Sequence, residues 1–391
     1  MPCACFEPGA PTDDAPVSRR GFVAGAAAAL LAPRAVHAQP PRPRPLGGEY
    51  VIEAAWALID EGGRSRLLPD ASLHVRGAHL VAVQSGRIRG TMPRLDARGL
   101  LVLPGLISAH THAAGGSATR GLIEGGRSYQ RPLELMDRLG DDELDALTAY
   151  NLAELLRGGA TAQVEMSLSL AQARSWVRVA ERFGVRGWVG AMVPGTPRLF
   201  PIWRRRDDQL LRDAESGTLD EIAAFARFAE SVRGAGDGRI TPMVTPHAAD
   251  TQTPATVTAL AALARRLGSG VHLHLHQGVG EVRAVERLWG ARPVEWLVGL
   301  GLFDGPTIGA HGTGATADDW PHYVRHGVTY AHCPSAGGAG ASSGTQPWPE
   351  ALAAGVRTGI GVDTHSNDLL ENIKLAVLIG RARARLLAAP G

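Results

Sequence analysis

Leu101-Val102-Leu103-Pro104-Gly105-Leu106-Ile107-Ser108-Ala109-His110-Thr111-His112 is an apolar run that closes on two histidines one residue apart. Side chains at i and i+2 of a strand share a face. Two imidazoles at one strand end can therefore bind a single metal ion together. Later apolar segments end in the same manner, at His247, His274 and His311, and another ends at Asp363. That series describes a metal site built at one end of a barrel of strands.

Outward from this stretch, strand and helix patterns alternate. The expected strands are 106–110, 160–166, 185–193, 240–247, 271–276, 307–311, 328–332 and 359–363. The expected helices are 141–157, 170–183, 219–235, 254–267, 279–289 and 370–387. Eight strands alternating with helices predict a (β/α)8 TIM-like barrel over 104–391, with its chemistry at the C-terminal strand ends. Residues 49–103 read instead as short strands with Gly62-Gly63, Arg76-Gly77 and Ser85-Gly86 turns, the N-terminal part of a small β-sandwich. Two stretches are too long for tight connections, 196–217 and 334–349, and both are expected to be loops over the mouth. The first carries Trp203-Arg204-Arg205-Arg206, read as a solvated helix start. The second carries Ala336-Gly337-Gly338-Ala339-Gly340, which no G-K-[ST] follows, so a phosphate loop is not expected.

The chain has 391 residues, 45% hydrophobic and 20% charged, with a formal net charge of +2 and no long run of like charge. Such a balance gives no footing for a nucleic-acid or membrane role. The expected partner is a small-molecule substrate, and homo-oligomerisation is left open. Ser18-Arg19-Arg20-Gly21-Phe22-Val23 matches a twin-arginine export signal, followed by an apolar stretch to Leu31 and a small-residue cleavage site, Val36-His37-Ala38. Residues 1–38 are therefore expected to be a removable signal, 39–48 a Pro/Arg linker, and the compartment periplasmic. Cleavage would leave Cys333 alone, so no intramolecular disulfide is expected.

The motifs together resemble the amidohydrolase superfamily, in particular its branch of cytosine deaminase, adenosylhomocysteine/methylthioadenosine deaminases and triazine hydrolases. The carriers are Leu103-Pro104-Gly105-Leu106-Ile107-Ser108-Ala109-His110-Thr111-His112, Arg120-Gly121, Thr245-Pro246-His247-Ala248, His272-Leu273-His274-Leu275-His276-Gln277, Gly309-Ala310-His311, His332-Cys333-Pro334-Ser335 and Gly361-Val362-Asp363. The resemblance implies one divalent metal, Zn2+ or else Fe2+, held by His110, His112, His274 and Asp363. Neutral imidazoles and a carboxylate suit either ion. It also implies that His311 and Asp363 handle the protons of an attacking water and a leaving group. His247, Gln277, His365 and Arg120 are the candidate substrate contacts. Spacing alone leaves the fifth-strand ligand open among His272, His274 and His276; the family position of Gln277 favours His274. His332 is open between a functional and a structural role.

Two departures bear on function. The deaminases carry a proton-shuttling Glu three residues after the fifth-strand ligand, where this chain has Gln277, and an amide does not exchange a proton that way. Glu281 and His365 are nearby candidates for the missing acid. Second, family members continue past the eighth helix with strands that complete the sandwich, so the sandwich is expected to be incomplete here. The leading expectation is a metal-dependent hydrolase of a non-peptide C–N bond. A deaminase of a nitrogen heterocycle is the alternative within that class, and an inactive ligand-binding barrel or truncated gene product is the alternative outside it.

Overall fold

The computed structural model describes residues 48–122, 130–205, 207–339 and 346–388. The expected export signal and nearly all of the linker lie outside the described residues. The chain divides into two compact units, Met1–Pro104 and Gly105–Gly391.

The first unit is one mixed sheet of β1 (Glu49–Glu61), β2 (Arg64–Arg76), β3 (His79–Ser85) and β4 (Arg94–Val102), in the order β3-β2-β1-β4. β1 and β2 form a hairpin, and β4 joins β1 in parallel. Gly62 and Gly63 both sit at positive φ, 63° and 83°, as a two-residue hairpin turn of this hand requires. The hairpin is longer than the short strands expected here, because the turn holds β1 and β2 in register from Glu49 opposite Arg76 to Glu61 opposite Arg64. Ala57, Leu68, Ala71 and Leu73 form its buried cluster. Among the described residues this unit is a single sheet, with no second sandwich layer of its own.

The second unit is α/β. One parallel sheet runs β5 (Leu106–Thr111), β6 (Ala160–Ser167), β7 (Arg186–Ala191), β8 (Ile240–Pro242). A second runs β9 (Val271–Leu275), β10 (Thr307–His311), β11 (Thr329–His332), β12 (Thr358–Ile360). Backbone bonds continue past both edges. Past β8, Val244 N donates to Gly270 O and His272 N to Val244 O, while past β12, Val362 N and Asp363 N both donate to His110 O.

Helices begin and end where local chemistry dictates. Leu170–Phe183 starts at a Ser169 N-cap and stops at Gly184, left-handed at φ 71°. Pro254–Leu267 has a Thr253/Thr256 capping box, proline in its first turn and left-handed Gly268 behind it. Helix Glu215–Ser231 lies a turn earlier than expected, because left-handed Gly234, Gly236 and Gly238 end the regular chain there. The core includes Trp176, Phe225, Phe228, Leu260 and Tyr323.

The segment 196–217 corrects the loop expectation. It folds as helices Thr196–Arg205 and Asp208–Asp213. Pro197 lies in the first turn, where proline costs no helical bond. Leu199, Phe200 and Ile202 are buried, and Asp207 Oδ1 accepts from Gln209 N and Leu210 N to start the second helix. Arg204 and Arg205 thus close a helix rather than open one. Part of 334–349 is helical too, as Pro334–Ala339, and 340–345 lie outside the described residues.

The chain packs closely where it passes from β12 alongside β5. A Cβ built on Gly361 would lie 2.7 Å from His110 Cβ and 2.9 Å from His110 N. Gly361→Ala must therefore push apart the strands carrying His110 and Asp363. The expected loss is about 1–3 kcal/mol, the usual cost of overpacking. A thermal melt of the variant that overlays the parent would contradict this packing.

Candidate metal centre

Five of the residues singled out in the sequence, His110, His112, His274, His311 and Asp363, meet in one buried space. The ligating atoms of His110, His112 and His274 lie within 4.8 Å of one another, as do those of His110, His311 and Asp363. His112 Nε2 is 3.3 Å from His274 Nε2 and 3.4 Å from Asp363 Oδ1. His110 Nε2 is 3.8 Å from the same carboxylate oxygen.

The hydrogen bonds on the far side of each ring decide what faces this space. His112 Nδ1 is 2.5 Å from Met166 O, and His274 Nδ1 is 2.9 Å from His247 O. A carbonyl oxygen only accepts, so both Nδ1 atoms carry the hydrogen and both Nε2 atoms are bare. His110 Nδ1 lies 2.7 Å from His272 Nε2, and its own Nε2 has no hydrogen-bond partner among the described residues. The rings are neutral. Burial, with the neighbouring imidazoles, holds His110 and His274 well below the ordinary histidine value. Burial also lowers His112, against the pull of Asp363 and the Met166 carbonyl. Two bare nitrogens at 3.3 Å repel unless a cation lies between them, so this donor set fits a divalent ion. Anchoring of the second ring nitrogen is how metal-binding histidines are oriented.

Asp363 is held below the ordinary carboxyl value. Burial pushes it up, but His311, His365 and His112 together outweigh that. His311 Nε2 is 3.9 Å from Asp363 Oδ2 and has no hydrogen-bond partner among the described residues. Burial lowers its pKa to about 4, against Asp363. Both residues leave their strands at positive φ, 81° for His311 and 56° for Asp363. Gly312 N donates to Leu275 O and Tyr330 Oη to His311 O, which fix the turn at His311.

The remaining candidates divide. His247 is buried beside the cluster, 4.9 Å from His274 between ring centroids. Its Nδ1 meets Thr251 Oγ1, and Trp203 stands edge-on at 5.8 Å. His365 Nε2 is 3.8 Å from Asp363 Oδ2. His276 does not join the cluster. At φ 51° it turns to Tyr323 Oη, 3.0 Å away, and to Asp319, itself bound by Arg292. His276, left open above as the fifth-strand ligand, instead ties the end of β9 to helix Trp320–Arg325 and its N-cap Asp319. Arg120 forms a two-point ion pair with Glu154. With His365 it lines a groove of about 980 Å³ beside the cluster. The Gln277 backbone N donates to Glu281 Oε2 at 2.6 Å. Burial and Asp250 hold the Glu281 carboxyl well above its ordinary value. His332 is stacked on Trp348, 5.3 Å between centroids, and both its ring nitrogens lack hydrogen-bond partners among the described residues.

Glu165 was not singled out in the sequence. It is fully buried on β6, accepting from Ala113 N at 2.9 Å and Ser167 Oγ at 2.8 Å. Burial raises its carboxyl to about 8, against those two hydrogen bonds. A lone Glu within Ala160–Ser167, an otherwise uncharged strand, was the available signal.

The sequence profile of the amidohydrolase family matches residues 101–389, and the chain belongs to that family. The 5-methylthioadenosine/S-adenosylhomocysteine deaminase 2 of Archaeoglobus fulgidus is 30% identical over 325 residues, which are 81% of this chain and 73% of that one. The corresponding deaminase of Moorella thermoacetica is 32% identical over 304 residues, 73% of this chain; the match spans 64% of the relative's length. Among solved structures, atrazine chlorohydrolase from Arthrobacter aurescens TC1, complexed with zinc, superposes with a TM-score of 0.70 at 20% identity. The superposition covers 85% of this chain and 77% of that one, and at this identity it speaks for the fold.

The buried groups set two opposing pH limbs in the metal-free protein. His247 and His272 are lowered to about 3 and His311 to about 4, so the stability they carry is present above about 6.5 and is lost as pH falls toward those values. Glu165 is raised from 4.5 to about 8, so its contribution is full below 4.5 and is lost as pH rises through 8. Glu165→Gln should therefore raise the melting temperature at pH 8 and leave it nearly unchanged at pH 4. Equal shifts at both values would refute the assignment.

Proposed function

We propose that this chain is a metal-dependent hydrolase that cleaves a C–N bond other than a peptide bond in a small molecule, with a nitrogen heterocycle bearing an amino group as the favoured substrate class. The observation that carries the reading is the set of bare imidazole nitrogens turned on one point beside the Asp363 carboxylate. The relatives' deaminase names support the substrate class. We further infer that the two parallel sheets are halves of one (β/α)8 barrel, because backbone bonds run past both edges, from 244 to 270 and 272 and from 362 and 363 to His110.

His110, His112, His274 and Asp363 would hold one divalent cation, with zinc favoured by the donor chemistry and by the zinc complex of the triazine-hydrolysing neighbour. When bound, such an ion lowers the pKa of a coordinated water toward neutrality, to about 7 in favourable sites, and polarises a substrate oxygen or nitrogen. The chain's own groups do the rest. Asp363 stays ionised among its imidazoles, so its carboxylate can accept a proton from the attacking water. His311, neutral and unpartnered at Nε2, offers a hydrogen-bonding group beside that carboxylate and can hold or pass the proton needed by the departing nitrogen. His247, with Trp203 edge-on to it, and His365 border this space and would contact the substrate. Gln277 can orient a substrate by hydrogen bonding but cannot cycle a proton. Proton delivery to the leaving group is therefore assigned to Asp363 and His311.

The twin-arginine signal over Ser18–Val23 supports a periplasmic location for the mature protein. Changing Arg19 and Arg20 together to Lys should retain the precursor in the cytoplasm, read by fractionation; unimpeded export would remove this proposal.

The activity test is ammonia release from a panel of amino-heterocycles by the zinc-loaded protein. Asp363→Ala is expected to cut turnover at least about a hundredfold and to lower the zinc content of the dialysed protein. Full turnover in that variant would sink the mechanism.

A further inference from the structure

We infer that His272 is the positioning residue of the metal centre: it sets the tautomer and ring orientation of His110, and so the direction in which His110 presents its bare nitrogen. This rests on the metal reading above.

The argument follows one chain of hydrogen bonds. His272 Nδ1 is 3.2 Å from Ile308 O. The carbonyl can only accept, so Nδ1 of His272 bears the hydrogen and its Nε2 is an acceptor. The 2.7 Å contact with His110 Nδ1 must then be donated by His110. His110 is thereby protonated on Nδ1, which leaves Nε2 bare and facing the cluster. His272 is fully buried, so solvent offers no substitute partner.

The other two imidazoles among the proposed ligands are fixed differently. His112 and His274 donate to the main-chain carbonyls of Met166 and His247, which no substitution can remove. His110 alone depends on a side chain. That side chain starts from β9, braces on its register partner Ile308 of β10, and reaches His110 on β5. The two rings lie 4.9 Å apart between centroids at 64°, a geometry in which rotation of one ring breaks the bond to the other. An unanchored His110 could take the opposite tautomer and present an N–H to the space where a cation would sit.

Two substitutions separate anchoring from mere filling of space. His272→Gln retains an amide N–H for Ile308 O and a carbonyl for the His110 N–H. His272→Leu fills a similar volume with no polar atom. Zinc affinity, measured by competition with a chromophoric chelator, should fall about 10- to 100-fold in His272→Leu, while His272→Gln recovers most of it. Nitrogen-15 NMR of the metal-free parent, with His110 assigned through a His110→Gln spectrum, should show its hydrogen on Nδ1. A His272→Leu protein that folds and binds zinc within twofold of the parent overturns the inference. So does His272→Gln behaving no better than His272→Leu, or a parent His110 protonated on Nε2. Should His272→Leu fail to fold, the parent's tautomer and the Gln variant's affinity decide the question. Failure of the parent to bind zinc defeats the metal reading, while the tautomer measurement still judges the role of His272.

Discussion

Bare imidazole nitrogens turned toward one another in a buried space are the constraint on which this structure turns. Repulsion between His112 Nε2 and His274 Nε2 at 3.3 Å favours either a ring flip or a proton uptake. The surroundings oppose both. Ring flips are blocked by acceptors behind each ring: Met166 O, His247 O and His272 Nε2. Proton uptake is opposed by burial. What remains is an arrangement whose repulsion is relieved by a cation. The backbone serves two of the three rings directly, since Met166 O lies near the end of β6 and His247 O in the loop that follows β8. The register between strands thus sets the angle of each ring.

The Gln277 position gains meaning from its neighbours. Its main-chain N–H is taken by Glu281 Oε2, on a buried carboxyl that burial and Asp250 hold well above its ordinary value. Glu281 is therefore a poor replacement for the acid that Gln277 lacks. His365 remains close to Asp363, but on the side of the groove that also holds the Arg120–Glu154 pair. The chemistry assigned to the site thus concentrates on Asp363 and His311, two residues on the last and sixth strand ends of the α/β unit.

Much of this was legible in the sequence, for physical reasons that can be named. His110-Thr111-His112 at the end of an apolar run places two rings on one face, and helices such as Asp141–Arg157, Leu170–Phe183 and Pro254–Leu267 announce themselves by amphipathic spacing with caps and glycine stops. Other features depend on directions that spacing does not encode. His276 belongs to the same alternation as His272 and His274, yet a positive φ turns it to Tyr323. Alternation holds only while the strand stays extended. The stretch 196–217 was expected to be a loop because it is too long for a tight connection, and length alone does not distinguish a loop from the two short helices that form there. Glu165 escaped notice because its role lies in a bond to the main chain at Ala113, which leaves no motif.

His276, His311 and Asp363 share the left-handed region of backbone space, where side-chain-bearing residues are held at a cost of about 1 kcal/mol or more each. Glycine would relax the chain at each of these corners. Selection for stability alone would then favour replacing the residues that the chemistry needs, or, at His276, the one that ties its loops. Sequence drift in this protein is therefore pulled in two directions at the same three corners. Relatives that have given up catalysis should be recognisable by glycine or asparagine there, before the apolar framework of the strands shows any change.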